Sequence, residues 1–424
     1  MQFVKGHRKS SRFILNLLGI GTAISLLGDA TLYTVLPHPD ISHQLGITLS
    51  MVGLLLGANR ATRLVLNSPV GILYDRMPRR GLLIAALSLG AGSSIFYAVG
   101  YGFWPLLTGR IFWGLAWSLL WVGGNSVVLD VSTEENRGRN SGIYLMWFFI
   151  GVASSSFLGA MLTDMFGFRS GQWISVTVIA ASALAWFFFL PETRINETTA
   201  KEAVQETDKS ETLLLPWRVI AATSFTVFIA RFLAWGVLAA TAILWLSELF
   251  GEGVKFASLL IPIATLTGLY TALSNLISVG STPLVGSVSD RFGRRWPVIG
   301  LAMIIGGLSL WLMSGEIRSL ALFGAFLVPL AGSSTETLIP AIAGDRVPKN
   351  LRSRALGLIN TVGDLGATIG PFAALGALNL GWLSLAGIYK VGSVFFGVVA
   401  VLALSPLVSR QARTTALVRG SPDR

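Results

Sequence analysis

One short charged motif is written twice in this chain. Gly71-Ile-Leu-Tyr-Asp75-Arg76-Met-Pro-Arg79-Arg80 recurs as Gly286-Ser-Val-Ser-Asp290-Arg291-Phe-Gly-Arg294-Arg295, 215 residues further on. A second set keeps the same offset: Asp130 is followed by Arg137, Arg139 and Gly142, and Asp345 by Arg352, Arg354 and Gly357. Two independent motifs in one register identify an internal duplication, so both halves must adopt the same architecture.

That architecture belongs in lipid. Of 424 residues 53% are hydrophobic and 12% charged, and the mean hydropathy is +0.67, too little polar surface for a soluble chain of this size. Apolar runs of roughly 19 to 30 residues recur twelve times, the eighth of them at 256–284, and each is long enough to span a bilayer as a helix. They lack the two-residue alternation of barrel strands and are about twice as long. The sequence therefore predicts an all-α membrane protein of twelve helices in two pseudo-symmetric six-helix bundles.

The net charge of +11 is distributed as membrane topology requires, not as a nucleic-acid patch. About 24 of the 32 Lys and Arg fall in the tails and alternate loops, while only Arg169, Lys255 and Arg318 fall in the others. The bias places both termini and the central loop on the cytoplasmic side of a plasma (inner) membrane. The first apolar run follows a basic stretch but is too long for a cleaved leader and carries Asp29, so it reads as the first span. There is no cysteine, and His7, His38 and His43 are scattered, so no metal or cofactor site is expected.

One long polar segment, Glu192 to Leu215, separates the sixth and seventh runs and reads as a flexible linker. The expected organisation is a first bundle over 1–190, a linker over 191–216, a second bundle over 217–410 and a tail over 411–424. Other connections are short and leave no room for a catalytic domain. No nucleotide-binding loop, nucleophile motif or enzyme-like carboxylate pair is present. Gly151, Ser155 and Gly159, and Gly366 and Gly370, recur at four-residue spacing, as close helix packing in lipid demands.

The pattern Gly-x-x-x-Asp-Arg-x-x-Arg-Arg between the second and third runs, repeated between the eighth and ninth, resembles the signature loop of the major facilitator superfamily. In the first copy Met77-Pro78 replaces the usual residue and glycine; Phe292-Gly293 in the second fits the pattern. The resemblance implies a transporter and a cytoplasmic gate made of Gly71, Asp75, Arg76, Arg79, Arg80 and Asp130, with Gly286, Asp290, Arg291, Arg294, Arg295 and Asp345 in the second half. The spacing lets Asp75 and Arg79 pair at a helix end and meet Asp130, and the same reading gives Asp290, Arg294 and Asp345.

Ionisable groups inside spans cost about 2.5 to 3.5 kcal/mol on insertion scales, so each is a functional candidate. They are Asp29, Arg60, Arg63, Arg110, Arg231, Glu336, Asp364 and Lys390. In the superfamily the first, fourth, seventh and tenth spans line a central cavity, and this chain puts Asp29, Arg110, Arg231 and Glu336 on them, two acids against two bases. Desolvation favours the neutral form of a carboxyl group, so Asp29 would exchange a proton near neutral pH unless Arg110 or Arg60 holds it ionised. Gly28-Asp29 through Pro37, and the Arg110-x-x-x-Gly114 pattern, resemble the drug/proton antiporter branch. The Gly-Pro of that branch's fifth span is absent after Gly151 and stands instead at Gly370-Pro371.

Asp29, Arg110, Glu336 and Asp364 are thus the proton-coupling candidates, and Arg60, Arg63, Tyr33, Trp117, Trp121 and Arg231 the substrate-cavity candidates. Arg60 and Arg63 share a helix face and suit a carboxylate or phosphate; alternatively they pair with Asp29, Asp364 or backbone. Trp113, Trp117 and Trp121 form a stripe that is either packing or a wall for a flat apolar or cationic solute. The expected function is proton-coupled efflux of a small amphipathic compound, by a monomer whose partners are the solute, protons and the bilayer. A carrier of organic anions through Arg60, Arg63 and Arg231, and a lipid or sensor protein, are the alternatives.

Overall fold

In the computed structural model the described residues are 11–133, 137–194, 216–256, 259–347 and 351–405. Twelve helices among them are long and apolar enough to cross a membrane. The first six are Ser11–Val35, Leu49–Arg76, Arg79–Val99, Phe103–Asp130, Arg137–Phe166 and Phe168–Phe189. The second six are Trp217–Phe250, Ile263–Phe292, Arg295–Met313, Arg318–Arg346, Arg352–Asn379 and Leu385–Leu404. Shifting the first set by 215 lands most of these boundaries within two residues of the second, so the duplication read from nine charged and glycine positions extends to the helices themselves.

Two departures from the sequence expectation mark the seventh and eighth spans. The eighth helix begins at Ile263, not 256, because Gly253–Phe256 and Leu259–Pro262 pair as an antiparallel hairpin ahead of it. Gly251 and Gly253 supply the positive φ values that open the hairpin, at 64° and 157°. The seventh span is broken by a π-helical segment, Phe232–Leu238, directly after Arg231.

The chain divides into two compact units, Met1–Leu213 with Ala242–Ala272, and Leu214–Thr241 with Leu273–Arg424. The segment 242–272 groups with the first unit, in part because Asp164 on the fifth span accepts hydrogen bonds from Thr265 N and Oγ1 at 2.7 and 2.5 Å and caps the eighth helix. The linker residues 195–215 and the tail 411–424 lie outside the described residues.

Within the first unit the first span packs on the fifth and sixth, and the third on the fourth and sixth; the second unit repeats these pairings between the corresponding helices. Small residues set the approach. A Cβ on Gly151 would fall 2.5 Å from Ala23 Cα, and the matching Gly366 abuts the Phe228 carbonyl in the second unit. Apolar aromatic side chains fill the first core. Trp113 and Trp117 are buried and Trp121 half-buried, and Trp117 and Trp121 pack on Phe148 of the fifth span at 5.6 and 5.2 Å. The tryptophan stripe is therefore a packing face.

Gly370 shows how tight this packing is. A Cβ there would sit 2.7 Å from Gly236 Cα and 2.6 Å from the Phe232 carbonyl oxygen, whereas one on Gly376, in the same helix, meets nothing within 4 Å. Overpacking costs about 1–3 kcal/mol, while Gly→Ala in an open helix position gains about 0.5–1 kcal/mol. Thermal unfolding in detergent should show Gly370→Ala melting well below the wild type and Gly376→Ala at or above it.

Candidate functional site: charges held inside the spans

Each unit gathers its buried charges around one arginine. Arg110 on the fourth span has a side chain 1% exposed, and its Nη1 donates to Asp29 Oδ1 on the first span. Its Nε donates to the Leu55 carbonyl at 2.8 Å and its Nη2 to that of Leu56 at 3.4 Å, both on the second span. Gly114, one turn along, brings that helix near, since a Cβ there would lie 2.6 Å from Thr62 Cβ. Asn59 Nδ2 also donates to Asp29 at 3.4 Å. A lone carboxylate in this place would be prohibitively costly; the paired and hydrogen-bonded one is tolerated.

Tyr33 joins the cluster. Its hydroxyl donates to the Leu56 carbonyl at 2.7 Å, and its ring lies 5.3 Å from the Arg110 guanidinium and 6.0 Å from that of Arg60. Arg63 faces the Trp117 ring at 6.0 Å. Arg60 and Arg63 are both half-buried on the second span.

In the second unit one guanidinium serves two acids. Arg231 on the seventh span grips Glu336 of the tenth with two parallel bonds, Nε to Oε1 at 2.7 Å and Nη2 to Oε2 at 3.0 Å. Its Nη1 donates to Asp364 Oδ1 of the eleventh at 2.9 Å, and Nη2 also donates to Asn360 Oδ1 at 2.9 Å. Asn360 and Asp364 are four apart and share a helix face. With the acids ionised, this cluster carries a surplus of one negative charge. Gly363 makes room for it, a Cβ there falling 3.0 Å from Arg231 Cδ. The π-helical turn after Arg231 places Trp235 under the guanidinium at 5.6 Å, while Phe228 and Phe232 stack at 6.1 Å.

The two acids and two bases expected to neutralise one another do so as pairs inside each unit, Asp29 with Arg110 and Glu336 with Arg231, and Asp364 is drawn into the second. Of the substrate-cavity candidates, Trp117 belongs to the core and Arg231 to the acid cluster. Lys390 is exposed and lies 5.9 Å from the Trp311 ring near one end of its span, a snorkelling position outside the charge clusters.

At the helix ends bearing the duplicated motif, Arg79 Nε pairs with Asp130 Oδ2 at 2.9 Å and Arg79 Nη1 donates to the Tyr74 carbonyl at 2.6 Å. In the second unit the arginine on Asp345 is Arg295, at 2.6 Å, and it also reaches Asp290 at 3.3 Å, so Arg295 takes the place expected of Arg294. Arg294 instead stands at the N-cap of the ninth helix with an extended backbone. The side chains of Asp75, Arg137, Arg352 and Arg354 lie outside the described residues. Arg76 and Arg291 are exposed, and a Cβ on Gly71 or Gly286 would meet no close neighbour.

Sequence reasoning missed a strap on the first motif. The Glu192 carboxylate accepts from the backbone amides of Arg79 and Arg80 at 3.0 and 3.1 Å, capping the third helix, and Thr193 Oγ1 donates to Asp130 Oδ2 at 3.1 Å. Arg194 donates to the Arg76 carbonyl at 2.8 Å. Asn59, Asn360 and the π-helical turn were also missed; only the four-residue spacing of Asn360 and Asp364 offered a signal.

Twelve spans built as a repeated six-helix unit, with charges sequestered in their interior, define a membrane transporter. The sequence profile of the Major Facilitator Superfamily matches residues 18–274 and again 264–421, and this chain belongs to that superfamily. It is 25% identical over 411 residues to the tetracycline resistance protein, class C, of Escherichia coli, across 90% of this chain and 96% of that protein. It is 24% identical over 358 residues to the 4-hydroxybenzoate transporter PcaK of Pseudomonas aeruginosa, across 79% and 78%. In fold it is similar to an inward-facing, occupied bacterial homolog of the human lysosomal transporter Spinster, with a TM-score of 0.74 at 15% identity over 99% of this chain and 100% of that one. The chain is therefore an integral membrane transporter and not an enzyme.

Removing Arg231 strands two partly buried carboxylates, and breaking a buried pair generally costs about 3–5 kcal/mol. Arg231→Ala should lower the melting temperature and the monodisperse yield sharply. Combining it with Glu336→Gln and Asp364→Asn should recover much of the loss, because no charge is then left unpaired.

Proposed function

We propose that this transporter exports a small amphipathic, drug-like compound in exchange for protons, by alternating access between two six-helix bundles at 1–190 and 217–410. One observation carries the reading: a single guanidinium, Arg231, holds two carboxylates inside the spans. One proton brings that cluster to neutrality, and a bound cationic solute does the same, so the two compete for one surplus negative charge. Trp235, Phe228 and Phe232 supply flat apolar surface beside it. Asp29 with Arg110 forms a second protonatable pair, balanced when ionised.

A proton crossing the membrane field is worth about 2.3 kcal/mol per 100 mV, enough to drive a cycle whose states differ by a few kcal/mol. The Arg79–Asp130 and Arg295–Asp345 pairs act as latches that open and close at the cytoplasmic ends, and the charge bias of the loops supports an inner-membrane protein with both termini inside. The relative that confers tetracycline resistance supports the export reading.

A second reading, an organic-anion carrier using Arg60, Arg63 and Arg231, is favoured by the 4-hydroxybenzoate transporter among the relatives. Arg231 already faces two acids, which weighs against its serving as an anion clamp.

Proteoliposomes under an imposed pH gradient discriminate the two. Ethidium is expected to move in exchange for protons in the wild type, and far more slowly in Asp29→Asn, Glu336→Gln and Asp364→Asn. Equal ethidium-linked proton movement in all four proteins, or gradient-driven accumulation of labelled 4-hydroxybenzoate that Arg60→Ala abolishes, would overturn the export reading.

A further inference from the structure

The interior of the first unit holds polar side chains that the Asp29–Arg110 pair does not use. Gln172, in the second turn of the sixth span, is 0% exposed, and neither its Oε1 nor its Nε2 meets a hydrogen-bond partner among the described residues. Natural interiors satisfy such a buried amide with water when the surroundings are polar and there is room. The surroundings here are polar. On the third span Ser93, Ser94 and Tyr97 are each at most 2% exposed. Gln172 Oε1 and Ser94 Oγ converge on Gly28: a Cβ on that glycine would lie 3.6 Å from the first and collide with the second. Gly28, lacking a side chain, thus lets the first, third and sixth spans bring these polar groups together next in sequence to Asp29.

Polar side chains continue from this group to the ion pair. Ser93 and Tyr97 are four residues apart on one helix face. The Tyr97 ring packs on the fourth span where Gly109 lacks a side chain, a Cβ there falling 2.6 Å from Tyr97 Cε1, and its hydroxyl lies beside Ser93 and Arg110. Three residues before Gln172, the Arg169 guanidinium covers the last carbonyls of the third helix, those of Ala98, Val99 and Gly100, at 3.2–3.4 Å. That end is opposite the duplicated basic motifs. The remaining ionisable groups facing Asp29 are Arg110, Tyr33 and, beyond Tyr33, Arg60.

We propose that Gln172, Ser94, Ser93 and Tyr97 line a hydrated path that carries protons to the Asp29–Arg110 pair through the interior of the first six-helix unit. Gln172 is a positioning residue: its amide donates to one water and accepts from another and does not itself titrate. The proton passes along water and hydroxyl groups, each accepting one proton and giving up another, and ends on the Asp29 carboxylate, which then releases its hold on Arg110. The inference rests on the reading of Asp29 as a proton carrier.

Hydroxyl-radical footprinting of the purified full chain tests the hydration without needing a substrate, because radicals made from bound water label the residue beside it. Tyr97 and Tyr389 are equally buried at 1% exposed, but the Tyr389 hydroxyl is paired with Thr241 at 3.0 Å, whereas that of Tyr97 meets no hydrogen-bond partner among the described residues. Tyr97 should be labelled about tenfold faster than Tyr389, a difference of about 1.4 kcal/mol in effective barrier, and Gln172→Leu should erase that excess without lowering the melting temperature. Gln172→Leu should also slow ethidium-linked proton movement in proteoliposomes by a similar factor. Labelling of Tyr97 at the Tyr389 rate in the wild type overturns the path. So does an unchanged proton rate in Gln172→Leu while Asp29→Asn is inactive, which leaves the coupling role of Asp29 intact. If Asp29→Asn moves protons like the wild type, the coupling reading itself fails and takes the route with it.

Discussion

An ionised group inside a bilayer needs a partner, and this protein answers that constraint locally, with one arginine gathering the buried acids of each unit. Arg110 is fully enclosed, with Asp29 on one side and the backbone carbonyls of the second span on the other. Arg231 is shared by Glu336 and Asp364. The packing details serve these two guanidiniums. Gly114 admits the second span to Arg110, Gly363 clears space for the Arg231 side chain, and the π-helical turn after Arg231 swings an aromatic ring under it.

The duplication and the chemistry obey different rules. Helices, packing pairs and the basic motif repeat at an offset of 215, and Asp130 and Asp345 hold equivalent arginine-paired places. The charges inside the spans do not repeat. The same offset takes Asp29 to Leu244, Arg110 to Ala325, Glu336 back to Trp121 and Asp364 back to Phe149. The scaffold was copied, and each copy then acquired charges of its own. The two basic ends also differ in setting. Arg79 and Asp130 are each 16% exposed and strapped by Glu192 and Thr193, whereas Asp290 and Asp345 are more than half exposed, where an ion pair contributes little.

Much of this was legible in the residues alone, for physical reasons. Apolar runs of span length allow only helices in lipid, so the twelve spans followed from hydropathy, and the offset between motifs showed that the two halves are copies. The identity of the buried charges was equally plain, because lipid makes each of them conspicuous. Their partners were not. Nothing in the spacing says that Arg231 takes both Glu336 and Asp364, or that Arg295 and not Arg294 meets Asp345, since pairing across helices depends on rotation about each helix axis. The hairpin at 253–262 was hidden because Val254, Leu260 and Ile261 read as apolar span. The Glu192 strap lay in a segment whose composition signalled only a linker, and Gln172 drew no attention because its lack of partners is a property of the packed interior.

The surplus acid on Arg231 is the feature from which proton exchange was inferred, and its protonation state is directly observable. Infrared difference spectra of the purified protein across a pH titration report the carbonyl stretch of a neutral carboxyl group. Proton exchange at this cluster predicts a band that is present in Asp29→Asn, grows as pH falls, shifts in deuterium oxide and disappears when Glu336→Gln and Asp364→Asn are added to that background while Arg231 remains in place. An Asp29→Asn spectrum with no such band through the range in which the protein stays folded, or the same band persisting once Glu336→Gln and Asp364→Asn are added, would contradict it.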